Sequence, residues 1–276
     1  MPRHEPAIVL EGIVQIYRVP SGEVHALRGV DAAFEVGQLT AVAGPSGSGK
    51  STLLGILALT ERPTAGALRV ADTDVIGASA RTVRRLRRTS IATVTQRPTH
   101  NLIPHLNVRE HLTHAAQVRR IRDLDAAQVA ASVGLEHRLA QRPRQLSGGE
   151  QQRLAVAMAM VGTPPIVLAD EPTAELDAES AATVISLLAR CAAAGSAVIV
   201  NTHDPSVMAA ADRVLTLHRG TMHSERVGSD QRTVAMIDGV GRIQLPPAAL
   251  ASFPDGRAEI ELIDGAIVLR PPARPT

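Results

Sequence analysis

A chain of 276 residues with 45% hydrophobic side chains is long enough for one large α/β domain with length to spare. With no Trp, one Tyr and two Phe, its core must come from Leu, Val, Ile and Ala, and a formal charge of +2 argues against a dedicated nucleic-acid binder. The one cysteine, Cys191, excludes an internal disulfide, fits a reducing compartment and reads as a small helix residue. No run approaches the ~18 apolar residues that cross a bilayer, and Met1 to Pro6 carry no apolar signal region. The expectation is a cytoplasmic protein that reaches the inner face of a membrane through a partner.

Residues 7–16 and 24–37 alternate apolar and polar positions, which predicts antiparallel strands. Tyr17 lies between them, and two readings of it stay open. It is a half-buried strand-end side chain, or a ring that stacks on a base. Leu39–Ala43 then reads as a short buried strand. It runs into Gly44, Pro45, Ser46, Gly47, Ser48, Gly49, Lys50, Ser51 and Thr52, two glycines five positions apart with Lys and a hydroxyl residue after the second. The glycines permit φ > 0 and bring backbone N–H groups up to phosphate oxygens. Lys50, the only lysine of the chain, can reach the terminal phosphates, and Ser51 can offer its hydroxyl to Mg²⁺. The residues from Thr52 onward predict a helix whose N-terminus faces the anion.

After a turn at residues 62–66 and a strand through Val70, residues 80–89 predict a helix. It carries Arg81, Arg84, Arg85, Arg87 and Arg88 on a solvated face, suited to anionic lipid headgroups. Ile91–Thr95 reads as a strand ending at Gln96. The loop from Arg97 to Asn107 has no regular periodicity and is expected to line the groove for a partner helix, with Leu102 and Leu106 accessible there. Residues 108–140 predict helix. His111 and His114 are spaced i, i+3, but the order Glu-His-x-x-His and the lack of nearby cysteines speak against a zinc site.

Ser147 and Glu150 form a capping box in Leu-Ser-Gly-Gly-Glu-Gln-Gln-Arg, and Gly148 and Gly149 leave first-turn N–H groups open to an outside anion. The chain therefore has two helix N-termini suited to phosphate. Ile166–Ala169 predicts a buried strand ending in Asp170, a carboxylate placed for Mg²⁺, and Glu171, placed to polarise water. Asp177, a helix closed by Gly195, the strand Ala197–Val200 and His203-Asp204 follow.

Over about residues 7–222 this ordered set closely resembles the nucleotide-binding subunit of an ATP-binding cassette (ABC) transporter. Within that family it is most similar to the macrolide-efflux and lipoprotein-release branch, through residues 25–30, 44–54 and 168–177. The resemblance implies an α/β P-loop NTPase cassette, with a mixed sheet core, an antiparallel β subdomain and a helical subdomain at about 97–160. It implies that Tyr17 stacks on adenine, that Lys50 and the loop hold ATP phosphates, and that Ser51, Gln96 and Asp170 surround Mg²⁺. Glu171 would be the general base and His203 the γ-phosphate contact. Ser147, Gly148 and Gly149 would close over ATP held by a second cassette, with Asp177 at the homodimer interface. An integral-membrane permease would be the partner. An importer ATPase or a soluble non-transport ABC protein are the alternatives. Three positions depart from the family pattern: Thr95, where an aromatic is common, Met158, where an arginine is common, and Ala174-Glu175 before Asp177.

Residues 223–232 lose periodicity and suggest a linker after a cassette at 1–222. Residues 233–276 predict a small β domain. Its parts are a strand at 234–237, a loop into a short strand at 241–246, a helical turn at 247–250, and a hairpin made by 258–263 and 266–269 around Asp264-Gly265. This segment resembles an AbrB-type swapped hairpin. Its four arginines face five acids, so DNA binding is not expected.

Overall fold

The computed structural model describes residues 6–20, 22–227, 233–235, 245, 252–253, 257–263 and 266–271. The first two strands, β1 (Pro6–Val19) and β2 (Gly22–Glu35), form a long antiparallel pair. β3 (Leu39–Ala43) leads into α1 (Lys50–Leu57); β4 (Ala65–Val70) then pairs with β1 and β5 (Thr73–Asp74) with β4. Next come α2 (Ala80–Thr89), β6 (Ile91–Val94), α3 (Val108–Arg119), α4 (Ala126–Ser132) and α5 (Gly148–Met160). β7 (Ile166–Asp170), α6 (Ala178–Ala193), β8 (Ala197–Asn201), α7 (Pro205–Ala210) and β9 (Arg213–His218) complete the run of motifs. β10 (Thr221–Val227), β11 (Thr233–Ala235), β12 (Glu259–Ile263) and β13 (Ala266–Arg270) follow.

The strands make a four-stranded antiparallel sheet, β2-β1-β4-β5, and a seven-stranded sheet, β11-β10-β9-β3-β8-β7-β6. From β9 to β6 the large sheet is parallel, with β10 and β11 added antiparallel at its edge. Period-two alternation divides the core. Val167, Ala169, Val198 and Val200 face the cluster built with α3 to α6. Ile166, Leu168, Ala197 and Ile199 face the cluster built with α1 and the antiparallel sheet, where Phe34 is 1% exposed. Each fully buried Leu or Ile contributes roughly 1.5–3 kcal/mol, so an aliphatic interior suffices.

Several boundaries differ from expectation. The single helix expected over 108–140 is interrupted: Arg120 takes the left-handed conformation (φ 61°) and ends α3, and Asp125 caps α4 through the N–H groups of Ala127 and Gln128. The linker expected from residue 223 begins inside β10, because Ser224–Val227 pair with β9, and β11 pairs with β10 and so joins the cassette sheet. Leu102 is 5% exposed and belongs to the core, contrary to its expected accessibility. The hairpin appears as predicted, with Ile263 opposite Ala266 across a two-residue connection. The expected loop and short strand at 241–246, apart from Leu245, and the turn at 247–250 lie outside the described residues, as do residues 236 and 237.

Candidate nucleotide site

Parallel pairing sets the carboxyl ends of β3, β8, β7 and β6 side by side, the edge where open α/β sheets hold ligands. Gly44 follows β3, His203 follows β8, Glu171 follows β7 and Gln96 follows β6. Segments up to about 160 residues apart thus converge because of strand order alone.

The loop between β3 and α1 needs its glycines. Gly44, Gly47 and Gly49 all have positive φ, and a Cβ on Gly49 would come within 2.5 Å of the Ala26 carbonyl oxygen. α1 has no side-chain cap, which leaves its first-turn N–H groups for an anion. Lys50 Nζ donates to the carbonyls of Gly44 (2.7 Å) and Pro45 (3.1 Å), so the ammonium lies over its own loop. Gly220, between β9 and β10, donates its N–H to Ser48 O (2.9 Å) and accepts from Arg28 N (2.8 Å). The phosphate loop is thereby tied through the β9–β10 turn of the large sheet to β2 of the antiparallel one.

Asn201, buried at the end of β8, links the loop to the acids. Its Nδ2 donates to Lys50 O (3.0 Å) and to Asp170 Oδ1 (3.4 Å). Sequence reasoning missed this residue; it lies two positions before His203 and belongs to no recognised motif. Burial raises the Asp170 carboxyl above its ordinary value, against the Asn201 hydrogen bond. Asn201 Oδ1 is buried without a partner beside this carboxylate. The hydroxyl of Ser51, the amide of Gln96 and the carboxylate of Asp170 are hard oxygen donors, few in number, as Mg²⁺ requires when phosphate and water complete its shell. Among the described residues no group of three or more His, Cys, Asp or Glu could hold a metal.

Glu171 adopts φ 44°, a left-handed conformation that costs a non-glycine residue about 1–3 kcal/mol. Its N–H is held by Asn201 O at 2.9 Å, and its Oε1 accepts from His203 Nδ1 at 2.7 Å. The Glu171 side chain is 16% exposed and that of His203 75%. Thr173 Oγ1 donates to Asp204 Oδ2 (2.8 Å), tying the two strand-end loops together.

Tyr17 is half-buried in β1 and its hydroxyl bonds to Thr52 and to Glu61, so it stands against α1 directly behind the phosphate loop. Burial, then the Glu61 contact, raises its phenol.

Ser147 and Glu150 form the expected box: Glu150 N donates to Ser147 Oγ (3.2 Å) and Ser147 N to Glu150 Oε2 (2.8 Å). That backbone N–H holds the Glu150 carboxyl below its usual range, helped by Arg138. Gly149 packs against Ser180, where a Cβ would lie 2.6 Å from its hydroxyl oxygen. Asp177 caps α6 through Ser180 N–H (2.9 Å) and accepts from its hydroxyl (2.8 Å), which hold its carboxyl low. Ser147, Gly148 and Asp177 form an exposed cluster of their own, whose hydrogen bonds among the described residues run to α5 and α6.

The departing residues are in use. Thr95 donates its N–H to Asn101 Oδ1 (2.8 Å) and closes the start of the following loop. Met158 O accepts from the half-buried Arg119 guanidinium (2.9 Å). Glu175 faces Arg97 at 3.6 Å across a cleft of about 180 Å³ lined by Gln96, Gly148 and Pro172. His111 is a core residue: its Nδ1 donates to Asn107 O and its Nε2 accepts from Ile103 N, both at 2.8 Å.

The family profile described as ABC transporter matches residues 27–174. The chain belongs to the ABC transporter family. It carries the family's ATPase cassette, and its relatives point the same way. It is 38% identical over 228 residues to the lipoprotein-releasing system ATP-binding protein LolD 2 of Caulobacter vibrioides, covering 81% of this chain and 99% of that one. It is 39% identical over 234 residues to the macrolide export ATP-binding/permease protein MacB of Nitrobacter winogradskyi, covering 83% of this chain. The cassette spans 36% of that longer relative's length. A solved dimeric ATP-binding cassette in a post-hydrolysis state with ADP and Pi superposes with a TM-score of 0.71 at 30% identity, over 80% of this chain and 98% of that one. Among the described residues no helix of the ABC cassette is long and apolar enough to cross a membrane.

Proposed function

We propose that this cassette binds and hydrolyses ATP as one half of a homodimer and drives a separate membrane permease in export or extraction from the membrane. The observation that carries this reading is Asn201, which ties Lys50 at the phosphate loop to Asp170, with Glu171 and His203 paired beside them. Gly44 to Thr52 would bind the phosphates through N–H groups and the Lys50 ammonium, and Tyr17 would stack on the adenine. Ser51, Gln96 and Asp170 would hold Mg²⁺, which supplies charge neutralisation on the phosphate oxygens. Glu171 would orient the attacking water and take its proton, with His203 holding the carboxylate and meeting the γ-phosphate.

Ser147, Gly148 and Asp177 are exposed although their helix ends are suited to anions, which supports their closing over ATP in a second copy. The similar solved cassette is a dimer in a post-hydrolysis state with ADP and Pi. A groove of about 260 Å³ lined by Thr93, Asn101, Ile103, His114 and Val118 is the docking place for a permease helix, at the cytoplasmic face of the membrane. The names of the relatives favour macrolides or lipoproteins as the cargo class. The β12–β13 hairpin places Ile260, Leu262, Ile267 and Leu269 on one face, and the first three are 72%, 77% and 66% exposed. An isolated two-stranded hairpin is marginal, so we assign this apolar face to its own copy in the cassette dimer.

The test is Glu171→Gln with ATP. A variant that binds ATP, dimerises by light scattering and turns over on the order of 10²–10⁴ times more slowly supports the reading. Hydrolysis at the wild-type rate removes Glu171 from the base role.

A further inference from the structure

Arg81, Arg84, Arg85 and Arg88 recur at i, i+3, i+4 and i+7, which places four guanidinium groups on one face of α2. With Thr82 and Arg120 they line a cavity of about 500 Å³ with no carboxylate in its lining among the described residues. None of the five arginine side chains is hydrogen-bonded or ion-paired among the described residues. Like charges at i, i+4 destabilise a helix. The first turn of α2 has no acid to offset Arg81 at the positive end of the helix dipole. Arg120 comes from a different element and holds a left-handed conformation (φ 61°) that Gly or Asn adopts more readily. A solvated face has no need of a second element to supply its fifth charge.

The geometry points to a second anion site: we infer that this cavity binds a ligand carrying two or more phosphate groups. Guanidinium forks match phosphate oxygens two at a time, and the volume falls within the range of small-ligand sites, about 300–1,000 Å³. A bound polyphosphate would relieve the repulsion along α2 and bridge it to Arg120. A soluble polyphosphate and the headgroup of a diphosphate lipid share this chemistry.

The experiment uses the full chain without ATP and with divalent metal chelated; binding that persists in Lys50→Ala, where the phosphate loop no longer holds its anion, is assigned to the second site. Tripolyphosphate titrated by calorimetry should bind saturably. Arg84→Gln/Arg85→Gln should weaken that binding at least tenfold while ATP affinity and thermal melting stay as in wild type. Arg120→Gln, which leaves α2 intact, should weaken it severalfold. Arg87→Gln, on the same helix but outside the cavity, should not. Sedimentation with cardiolipin vesicles, compared with phosphatidylcholine alone, separates the sources. Vesicle binding released by tripolyphosphate identifies the lipid; tripolyphosphate binding without vesicle binding identifies a soluble ligand. Binding that is absent, or that Arg87→Gln reduces as much as the cavity variants do, overturns the inference.

Discussion

His203 Nδ1 donates to Glu171 Oε1 at 2.7 Å, and His203 N approaches the other carboxylate oxygen at 3.4 Å. Glu171, the base we propose, is therefore aimed by a residue from the neighbouring strand end. Replacing His203 by Ala should lower turnover about tenfold or more through loss of that aim, with ATP affinity within about threefold of wild type. Equilibrium binding beside steady-state rates checks it; loss of both in equal measure would point to a binding role.

Gly220 carries no motif, yet a Cβ there would come within 2.6 Å of Ala26 O at a φ of 81°. Gly220→Ala should cost about 1–3 kcal/mol and weaken ATP binding, because the N–H to Ser48 O contact clamps the phosphate loop. Ser206→Ala, at the exposed start of α7, serves as the control. Equal nucleotide affinity in the two variants would contradict the clamp.

His111 is held neutral. Burial, first, pushes its imidazole below the ordinary value, against the Asn107 contact, and Nε2 must stay unprotonated to accept from Ile103. A depressed folded value means the folded chain binds fewer protons, so this contribution is complete above the unfolded value of about 6.5 and is lost as pH falls toward the folded one. Melting temperatures should drop between pH 7.5 and 5.5 by more in wild type than in His111→Gln. Equal drops would dismiss the histidine.

The groove lined by Ile103 and Val118 suggests where a permease is felt. Val118 is 40% exposed, and a cysteine there should cross-link to the permease in assembled complexes. A cysteine at Leu102 should not, since that side chain is in the core. The reverse pattern would move the docking place.

Deleting residues 236–276 keeps β11 in its sheet and removes the hairpin. The nucleotide-free protein should shift toward monomer while retaining ATP binding. Light scattering with an unchanged dimer fraction would refute pairing of the hairpins, whose tethers raise their effective concentration.

Much of this was legible in the residues. Two-residue periodicity set out β1 and β2, and Gly44 to Thr52, Ser147 to Gly149 and Asp170-Glu171 marked the site we propose, because their chemistry needs those residue types at fixed spacing. Asn201 was not legible: its role depends on β8 lying between β3 and β7, a long-range pairing without local signal. The left-handed backbone of Glu171 was hidden for the same reason. Arg120 concealed the end of α3, since an arginine rarely marks a helix end, and the Asp125 cap of α4 went unread within the single helix expected over 108–140. The linker expected from residue 223 failed because β10 pairs with β9 and β11 through mostly polar residues, His223, Ser224, Glu225 and Arg226, so no apolar alternation shows.

The central strand β3 finds its neighbours late. Leu39 N–H is held by Asp212, 173 positions further on, and Ala43 pairs with Thr216. At about 5–20 residues per second of synthesis, the phosphate loop leaves the ribosome on the order of ten seconds before both flanking strands exist. In the first part of that interval β1, β2 and β4 are the strands available to cover α1. Newly made chains therefore depend on the antiparallel sheet folding first, and substitutions in β9 would reduce the yield of folded protein before they touched ATP chemistry.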